Sequence, residues 1–327
     1  MRQILFRIPL PGQGHALTLY GYGAMLCLGF LAAIYLAKYH ARRFGQGPDT
    51  VYNAALGAFL GGVLGARFFY IVQNHGWAFR PWDLVRIWEG GLTYYGGLLL
   101  AAAAVIGYLA LTRKPVLSWC DIFTPSLAVG LAFGRIGCLL NGCCFGDVSN
   151  LPWAIRWPVG SIPWHHYAAQ DLAEHGIGAT GLGGSTFGAV CGSLAATWAM
   201  PRVHPAQVYA AVNAALLAVL LSLLLARKRR HGQVILAFFL LYSVSRFFLE
   251  FIRADEPESY LLGLGSLLRG LGLEGAAAAL PRLTISQNVA ILTVAASVAG
   301  LALLERYGRP LARRGLGSGD WGLGRRP

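Results

Sequence analysis

Charged side chains that fall inside or at the ends of long apolar runs are the residues of this sequence best suited to chemistry. Arg135 is the first, because it stands in the glycine-rich stretch Gly134–Gly146 together with Asn141 and Gly142. A guanidinium group can donate two parallel hydrogen bonds to a phosphate, and a charge inside an apolar segment is costly enough to indicate function. We therefore predict that Arg135, Asn141 and Gly142 bind an anionic group. The alternative is an arginine that only extends its charge toward a membrane surface.

Arg246, Glu250 and Arg253 form a second charged group near the end of another apolar run. Their spacings of four and three residues place them on one face of a helix, with Glu250 between the two arginines. In this arrangement Glu250 neutralises and orients one arginine and leaves the other for an anion. A structural ion pair between helices is the alternative interpretation of Glu250.

Two further motifs combine special backbone residues with titratable side chains. The stretch Trp88–Gly97 has glycine pairs on both sides of Tyr94 and Tyr95, which predicts a helix start where the backbone approaches a ligand. Tyrosines that only anchor the chain at a membrane interface are the alternative. His204 stands just before Pro205, a residue suited to a first helical turn, and it serves either as a base or as a helix cap.

Small residues in a third apolar run lead to another arginine. Gly57, Gly61 and Gly65 recur every four residues, a spacing typical of closely packed helices. We interpret these glycines as structural. Arg67 follows them and is a further candidate for the anion site.

Three of the six cysteines, Cys138, Cys143 and Cys144, fall within seven residues of one another. A zinc site is an alternative, but no Cys-x-x-Cys pair or suitable histidine spacing supports it, so we expect no metal. Their position favours either a disulfide or inert thiols. A thiol that works directly in catalysis stays open.

Long apolar runs are the elements that must position these side chains. Hydrophobic residues make up 56% of the chain and charged residues only 13%, against roughly 25% charged residues in soluble domains. Seven runs approach or reach the roughly 20 residues that cross a bilayer. We predict an all-α integral membrane protein with about seven transmembrane helices, at Leu17–Ala37, Val51–Val72, Leu92–Thr112, Trp119–Leu140, Pro205–Ala226, Val234–Phe251 and Leu283–Leu304.

The positions of lysine and arginine predict the orientation of these spans, because basic residues near span ends favour the cytoplasm. If the N-terminus lies outside, the inside loops collect three basic clusters and the arginine-rich C-terminal segment. The clusters are Lys38 to Arg43, Arg113 with Lys114, and Arg227 to Arg230. We therefore expect an external N-terminus and a cytoplasmic C-terminus. The net charge of +13 then has a membrane explanation, and we expect no nucleic-acid partner.

The segments between and after the spans define the domain organisation. Residues 1–310 are expected to form a single membrane domain, with an outer-face head at about 142–204 between the fourth and fifth spans. The uncharged stretch 176–201 is long enough to cross a bilayer, but it is rich in glycine, serine and threonine. We assign it to the external or interfacial head. Residues 311–327 are expected to form a basic, disordered cytoplasmic tail.

These motifs, taken together, resemble the prolipoprotein diacylglyceryl transferase family over most of the chain, from about Leu17 to about Leu304. Each motif is short, and their order and spacing together are specific. The resemblance is carried by Tyr22–Gly23, Gly65–Ala66–Arg67, Trp88–Glu89–Gly90–Gly91, Asp121, Gly134–Arg135–Ile136–Gly137, Asn141–Gly142, Pro152–Trp153–Ala154, His204–Pro205–Ala206–Gln207–Val208–Tyr209 and Arg246 to Arg253.

The resemblance implies a multi-pass protein of the bacterial inner membrane with seven helices and a head on the outer face. It implies transfer of the diacylglyceryl group of phosphatidylglycerol to the lipobox cysteine of a preprolipoprotein, with a thioether and glycerol 1-phosphate as products. No metal or organic cofactor is expected. Catalytic roles are implied for Arg135, Arg246, Tyr95 and His204, and substrate-binding roles for Arg135, Asn141, Gly142, Tyr22, Arg67, Glu250 and Arg253.

Three positions depart from the usual motifs of that family. Tyr95 stands where a histidine is usual, Cys138 replaces an asparagine, and Cys143 replaces a glutamate. A tyrosine with a pKa near 10 is a poor base unless a positive field lowers it. His204 is then a substitute proton acceptor.

Two other functions are compatible with these motifs. One is a diverged relative that uses the same lipid site for another acceptor, or its thiols for redox chemistry. The other is a lipid-binding or transport protein without catalysis. Transporters of known folds show internal repeats with broken helices near the membrane midplane, and this sequence shows no such repeat.

Overall fold

The computed structural model describes residues 4–9, 16–76, 80–86, 90–174, 200–254, 258–260, 264–279 and 282–308. Seven helices in these ranges are long and apolar enough to cross a membrane, as the sequence predicts. They are α1 (Gly21–Arg43), α2 (Asp49–His75), α3 (Tyr94–Leu111), α4 (Val116–Asn141), α6 (Ala206–Arg227), α7 (Gln233–Glu250) and α10 (Ile285–Tyr307).

Shorter elements precede α1 and lie in the connections between the spanning helices. Two-stranded antiparallel ribbons form from β1 (Ile4–Pro9) with β2 (Ala16–Tyr20) and from β3 (Glu258–Tyr260) with β4 (Arg282–Thr284). Within the described ranges, the short helices are α5 (Ile162–Glu174), α8 (Leu264–Gly270) and α9 (Glu274–Ala279), and a 3-10 turn covers Pro81–Leu84. The ribbons are small, so the predicted all-α class holds.

Large apolar side chains lie on the outside of the spanning helices. Leu111, Leu216 and Phe248 are 87%, 65% and 63% exposed, respectively. In water such a surface costs free energy in proportion to its area, whereas lipid tails solvate it. The outward apolar surface agrees with the composition and supports a helical membrane protein.

The chain divides into two compact units that are interleaved along the sequence. The first unit contains Met1–Leu31, Leu127–Leu221 and Leu236–Leu303. It therefore includes the end of α4, most of α6, α7 and α10, and the predicted head between α4 and α6.

A small core holds the head together. Ile155 and Val203 exchange backbone hydrogen bonds at 3.0 and 2.9 Å, and the amide of Ser149 donates to the carbonyl of Arg202 at 2.8 Å. Residues 175–199, including Cys191 and most of the stretch 176–201, lie outside the described residues, as does the tail 311–327. The core side chains are Phe145, Trp157, Trp164, Tyr167, Ala168, Met200 and Val203.

The second unit contains Ala32–Ser126, Ser222–Ile235 and Leu304–Pro327, and it includes α2 and α3 entirely. These two helices pack through the glycines that the sequence singles out. A Cβ atom on Gly65 would lie 2.5 Å from the carbonyl oxygen of Gly96, and one on Gly61 would lie 2.8 Å from that of Leu100. No larger residue fits at either place without moving a helix, which confirms the packing role of Gly61 and Gly65. The same role predicted for Gly57 is wrong, because a Cβ atom there would meet no atom within 4 Å.

Asp121 joins two segments of the second unit, Ala32–Ser126 and Ser222–Ile235. Its side chain is fully buried, and its Oδ2 atom accepts hydrogen bonds from Lys228 Nζ at 2.9 Å and from the Gly232 amide at 2.8 Å. Its Oδ1 atom accepts from the amides of Val234 and Ile235 at 3.0 and 3.1 Å. Both oxygens are thus satisfied, and the carboxylate fixes the start of α7, where amide groups have no helical partner.

Candidate active site

The loop that follows α4 is built to turn back over the end of its own helix. The amides of Gly142 and Cys143 both donate to the carbonyl of Cys138, at 2.8 and 3.2 Å. Gly142 has φ = +85°, the left-handed conformation with which many helices end. Cys144 also has a left-handed φ, +58°, which few residues other than glycine adopt. The sequence Asn-Gly-Cys-Cys therefore ends the helix and folds its side chains back toward it.

Three hydrogen bonds fix this loop against the head and α6. Gln207 donates from Nε2 to the carbonyl of Cys143 at 2.8 Å. The amide of Gly146 donates to the carbonyl of His204 at 3.2 Å, and the hydroxyl of Tyr167 donates to the carbonyl of Gly146 at 2.9 Å. A Cβ atom on Gly146 would lie 2.6 Å from that of His204, so this approach requires glycine.

The segment that follows α7 pairs with the other side of the same loop. The amide of Asp147 donates to the carbonyl of Ile252 at 2.8 Å, and Gly146 and Arg253 face each other in an antiparallel bridge. The helix therefore ends at Glu250, and Arg253 follows in a turn rather than on the helical face that the spacing predicts. The backbone pairing with the loop after α4 replaces the next helical hydrogen bonds.

The charged group on α7 is nevertheless assembled as its residue types suggest. Arg246 pairs with Glu250 through Nη1, and Arg253 Nη1 lies 4.0 Å from the same carboxylate oxygen. The Glu250 side chain is fully buried, and the arginine side chains are 13% and 9% exposed. Two arginine side chains and one carboxylate are thus held together in a place of low exposure, and guanidinium groups in such a place are suited to binding an anion.

The first turn of α10 supplies a further contact to Arg246. Its Nη2 atom donates to the hydroxyl of Ser286 at 3.0 Å. Thr284 and Gln287 form reciprocal hydrogen bonds of 3.0 and 3.2 Å between side chain and backbone, the capping box that begins many helices. Because this box defines the helix start, Ser286 is held in position to orient the guanidinium group.

Arg135 on α4 is half-buried and pairs with the hydroxyl of Tyr242 on α7. It also interacts electrostatically with the thiols of Cys138 and Cys144. Arg253 acts on Cys144 as well. The loop after α4 is thus the common neighbour of Arg135 and Arg253, and the structure brings the two arginine groups predicted from the sequence to one site.

The three cysteines of this loop converge. The Sγ atoms of Cys138, Cys143 and Cys144 all lie within 4.8 Å of one another, and all three are free thiols. Hydrogen bonds from the thiols of Cys138 and Cys143 lower the pKa of Cys144, and the charges of Arg253 and Arg135 lower it further. Asn141 contacts the Cys143 thiol through its side chain.

Two other predicted residues lie in the same unit. His204 has a buried Nδ1 atom that makes no hydrogen bond within the described part of the chain. Tyr22, near the start of α1, packs against α4, because a Cβ atom on Gly137 would lie 3.0 Å from its ring. His204 and Tyr22 therefore lie near the C-terminal end of α4 and the loop that follows it.

Arg67 and Tyr95 belong to the second unit. Arg67 is 5% exposed, and it donates from Nε to the carbonyl of Asp83 at 3.0 Å and from Nη1 to that of Gly90. Its guanidinium group therefore holds the connection between α2 and α3. Tyr95 lies in the first turn of α3, where the glycine pairs predict a helix start, and it is 67% exposed. Trp88 and Glu89 of the same motif lie outside the described residues.

Sequence reasoning assigned no role to three residues that build the site. Gln207 lies in the motif His204–Tyr209. Its amide side chain at the start of a helix is a signal in the sequence for a hydrogen bond to a neighbouring loop. Tyr242 precedes Arg246 by four residues and so shares its helical face. This spacing is a second signal by which the sequence could have indicated a site residue. Ser286 carries no signal in the sequence, because its role depends on how α10 meets α7.

The fold and the site define a helical membrane protein that concentrates arginine side chains and thiols beside a small head. The family model of prolipoprotein diacylglyceryl transferase matches residues 12–303, and the chain belongs to this family.

Relatives named phosphatidylglycerol–prolipoprotein diacylglyceryl transferase match along most of the chain. The Geobacter sulfurreducens protein is 32% identical over 281 residues, which cover 83% of this chain and 89% of that protein. The Nitratidesulfovibrio vulgaris protein is 31% identical over 256 residues, 76% of this chain and 82% of that protein. The Clostridium tetani protein is 28% identical over 255 residues, 78% and 86%, respectively.

Proposed function

We propose that this chain transfers the diacylglyceryl group of phosphatidylglycerol to the lipobox cysteine of a preprolipoprotein. The observation that carries the proposal is the buried cluster of Arg246, Glu250 and Arg253, in which Arg253, like Arg135, lies close enough to Cys144 to act on it electrostatically. Membership of the transferase family and the names of the relatives support the same reaction.

The reaction requires charge stabilisation at the phosphate. The acceptor sulfur attacks the glyceryl carbon that carries the phosphate, and the carbon–oxygen bond breaks. Its electron pair leaves with glycerol 1-phosphate, and a neutral thioether remains. Arg135 and Arg246 stabilise the negative charge that grows on the departing oxygen, because fixed cations in a dry site need no reorganisation. Asn141, Gly142, Tyr22 and Arg253 complete the headgroup site, while Glu250 orients the arginines.

The acceptor thiol must also lose its proton, since the thiolate is the nucleophile. We propose His204 as the first candidate base, because its buried Nδ1 atom makes no hydrogen bond within the described part of the chain. Tyr95 is a second candidate at the position where the family usually has a histidine. For Arg67 we propose an indirect role, in which its contacts to Asp83 and Gly90 hold the entry to α3.

We further propose the placement of the chain in the bacterial inner membrane with the N-terminus outside and the C-terminus in the cytoplasm. Basic residues at the ends of α1, α3 and α6 support this orientation, because positive charges near spans favour the cytoplasmic side. Residues 1–310 then act as one membrane domain with an external head at 142–204, and residues 311–327 form a basic cytoplasmic tail.

Reconstitution tests the proposed function. Purified protein in phosphatidylglycerol vesicles is incubated with a lipobox peptide, and mass spectrometry follows a diacylglyceryl adduct on the peptide cysteine. We expect an adduct with the unmodified chain and none with Arg135→Ala, while Gly130→Ala, an open position on the same helix, serves as a matched control. No adduct from folded protein, under conditions where an active family member works, would favour a diverged relative with another acceptor.

A further inference from the structure

The thiols of the loop after α4 are arranged as a set rather than as isolated side chains. Cys138 belongs to the last turn of α4, and Cys143 and Cys144 follow it after the helix has ended. Neighbouring side chains on an extended chain point to opposite sides. The left-handed φ of Cys144, +58°, breaks that alternation, and all three Sγ atoms lie within 4.8 Å of one another.

This spacing is close to that of a metal-bound set of thiolates. Tetrahedral zinc with Zn–S bonds of about 2.3 Å places its sulfur ligands roughly 3.8 Å apart. Small rotations of the three side chains therefore suffice to close the set. The loop backbone does not need to move, because Gln207, His204 and Tyr167 already hold it at Cys143 and Gly146.

The described residues supply three ligands to this set. Among the described residues, no histidine, aspartate or glutamate joins the three thiols. Structural zinc sites have four protein ligands, whereas catalytic ones have three and leave one position open for water or substrate. A three-thiol site with an open position is of the second kind.

The charges around the loop fit an open position that takes a further thiolate. Three thiolates around a divalent ion carry one net negative charge, and a fourth thiolate adds another. Arg135 and Arg253, which both act on Cys144, supply two positive charges. An anionic site of low exposure requires cationic neighbours of this kind.

We propose that Cys138, Cys143 and Cys144 bind a zinc ion whose open coordination position takes the acceptor cysteine as a thiolate. Zinc binding is inferred from the geometry of the three thiols alone, whereas coordination of the acceptor cysteine rests on the proposed function. This assignment replaces the expectation from the sequence that no metal is bound. The spacing Cys-x4-Cys-Cys matches no familiar zinc motif, and only the folded loop brings the thiols together.

The chemical step is balanced. The acceptor thiol binds the metal and releases its proton to His204, the base of the proposed function, because coordination to zinc makes a thiol acidic. The metal-bound sulfur attacks the glyceryl carbon, the carbon–oxygen bond breaks, and glycerol 1-phosphate leaves with the electron pair. The product thioether is neutral and a weaker ligand, so it leaves the metal for the next acceptor.

Cobalt binding tests the inference independently of turnover. The full chain in detergent is stripped with a chelator under reducing conditions and titrated with Co²⁺, a spectroscopic substitute for zinc. We expect one Co²⁺ per chain, a sulfur-to-cobalt charge-transfer band, and its loss on addition of Zn²⁺. A lipobox peptide with cysteine should shift the band, whereas the same peptide with serine should leave it unchanged.

Variants assign the band to the proposed thiols. Cys143→Ser should weaken cobalt binding by more than about 100-fold, since losing a group that only supports a ligand already costs about 10–100-fold. Cys27→Ser, which changes an exposed cysteine of α1 outside the set, should bind as the unmodified chain does. If Cys143→Ser does not fold, Cys143→Asp keeps a ligand atom and should bind cobalt with a weaker charge-transfer band.

Other outcomes overturn the inference. They are no charge-transfer band in protein with fully reduced thiols, a band that persists in Cys143→Ser, or a disulfide within the set that blocks metal binding. Undiminished lipid transfer after complete metal removal would refute the zinc role and leave the proposed function intact. Cobalt bound by the three thiols without lipid transfer under any condition would refute the proposed function and the acceptor role, and would leave the metal site standing.

Discussion

Two buried carboxylates, Asp121 in one unit and Glu250 in the other, pair with basic residues in different ways. Asp121 accepts four hydrogen bonds, one from Lys228 and three from backbone amides, and its ion pair has no net charge. Glu250 lies between two arginines, Arg246 and Arg253. A carboxylate that one lysine and three backbone amides satisfy holds a fold together, whereas guanidinium groups gathered around one carboxylate are suited to binding an anionic ligand.

The largest effect is expected from breaking the balanced pair. Asp121→Ala leaves Lys228 buried without its partner and three amides without their acceptor. Removal of one member of a buried pair costs about 3–5 kcal/mol, and we expect a loss of this size in the free energy of unfolding. Thermal unfolding in detergent measures it. Transfer activity per folded molecule should change little, and a specific loss of activity in fully stable protein would contradict a structural role.

A substitution in the group of Arg246, Glu250 and Arg253 should lower activity more than stability. Arg246→Ala removes a cation that stabilises the leaving phosphate, and removal of one such donor lowers kcat by about 10²–10³-fold. Transfer kinetics in phosphatidylglycerol vesicles measure the change, with the folded fraction determined in parallel. Lys228→Met is the matched control, and equal losses of kcat in both variants would remove the distinction between the two groups.

Most of the fold was predictable because apolar length and glycine spacing are local properties of the sequence. The seven runs, the packing of Gly61 and Gly65, and the start of α3 at Tyr94 follow from such properties. The resemblance to the transferase family was also predictable, because it depends on the order and spacing of short sequence motifs.

The details of the site depend on contacts between distant segments and could not be read from spacing. The spacing of Arg253 predicts a place on a helix, but pairing with residues 145–147 ends the helix before it. The three cysteines show no metal motif, yet a left-handed φ at Cys144 brings them together. Arg67 was a candidate for anion binding from its type alone, whereas backbone carbonyls of Asp83 and Gly90 engage its guanidinium group.

A smaller effect is expected where the loop meets His204. Gly146→Ala places a methyl group 2.6 Å from the His204 Cβ atom, and overpacking of this kind costs about 1–3 kcal/mol. Because the same contact positions Cys144 and His204, transfer should slow by more than the folded fraction explains. Gly130→Ala, which meets no atom within 4 Å, is the control. Unchanged stability and rate in Gly146→Ala would show that the loop does not depend on this contact.

The smallest effect is expected at the anchor of Cys143. Gln207→Leu removes one hydrogen bond to its carbonyl, a loss of about 0.5–1.5 kcal/mol. The loop should loosen without unfolding, and cobalt binding by the three thiols should weaken by a few-fold to about tenfold. The cobalt titration measures this change. Affinity equal to that of the unmodified chain would mean that the loop is held without Gln207.

We propose above all that Arg246, oriented by Glu250 and Ser286, stabilises the departing phosphate by donating hydrogen bonds to it from the planar fork of its guanidinium group. The most direct test is the single-turnover rate of adduct formation by Arg246→Lys, measured per folded molecule. Lysine keeps the charge and loses the fork. The loss of one charge-assisted hydrogen bond, about 1.5–3 kcal/mol, predicts a rate about 10–100-fold lower. A rate equal to that of the unmodified chain would contradict the claim.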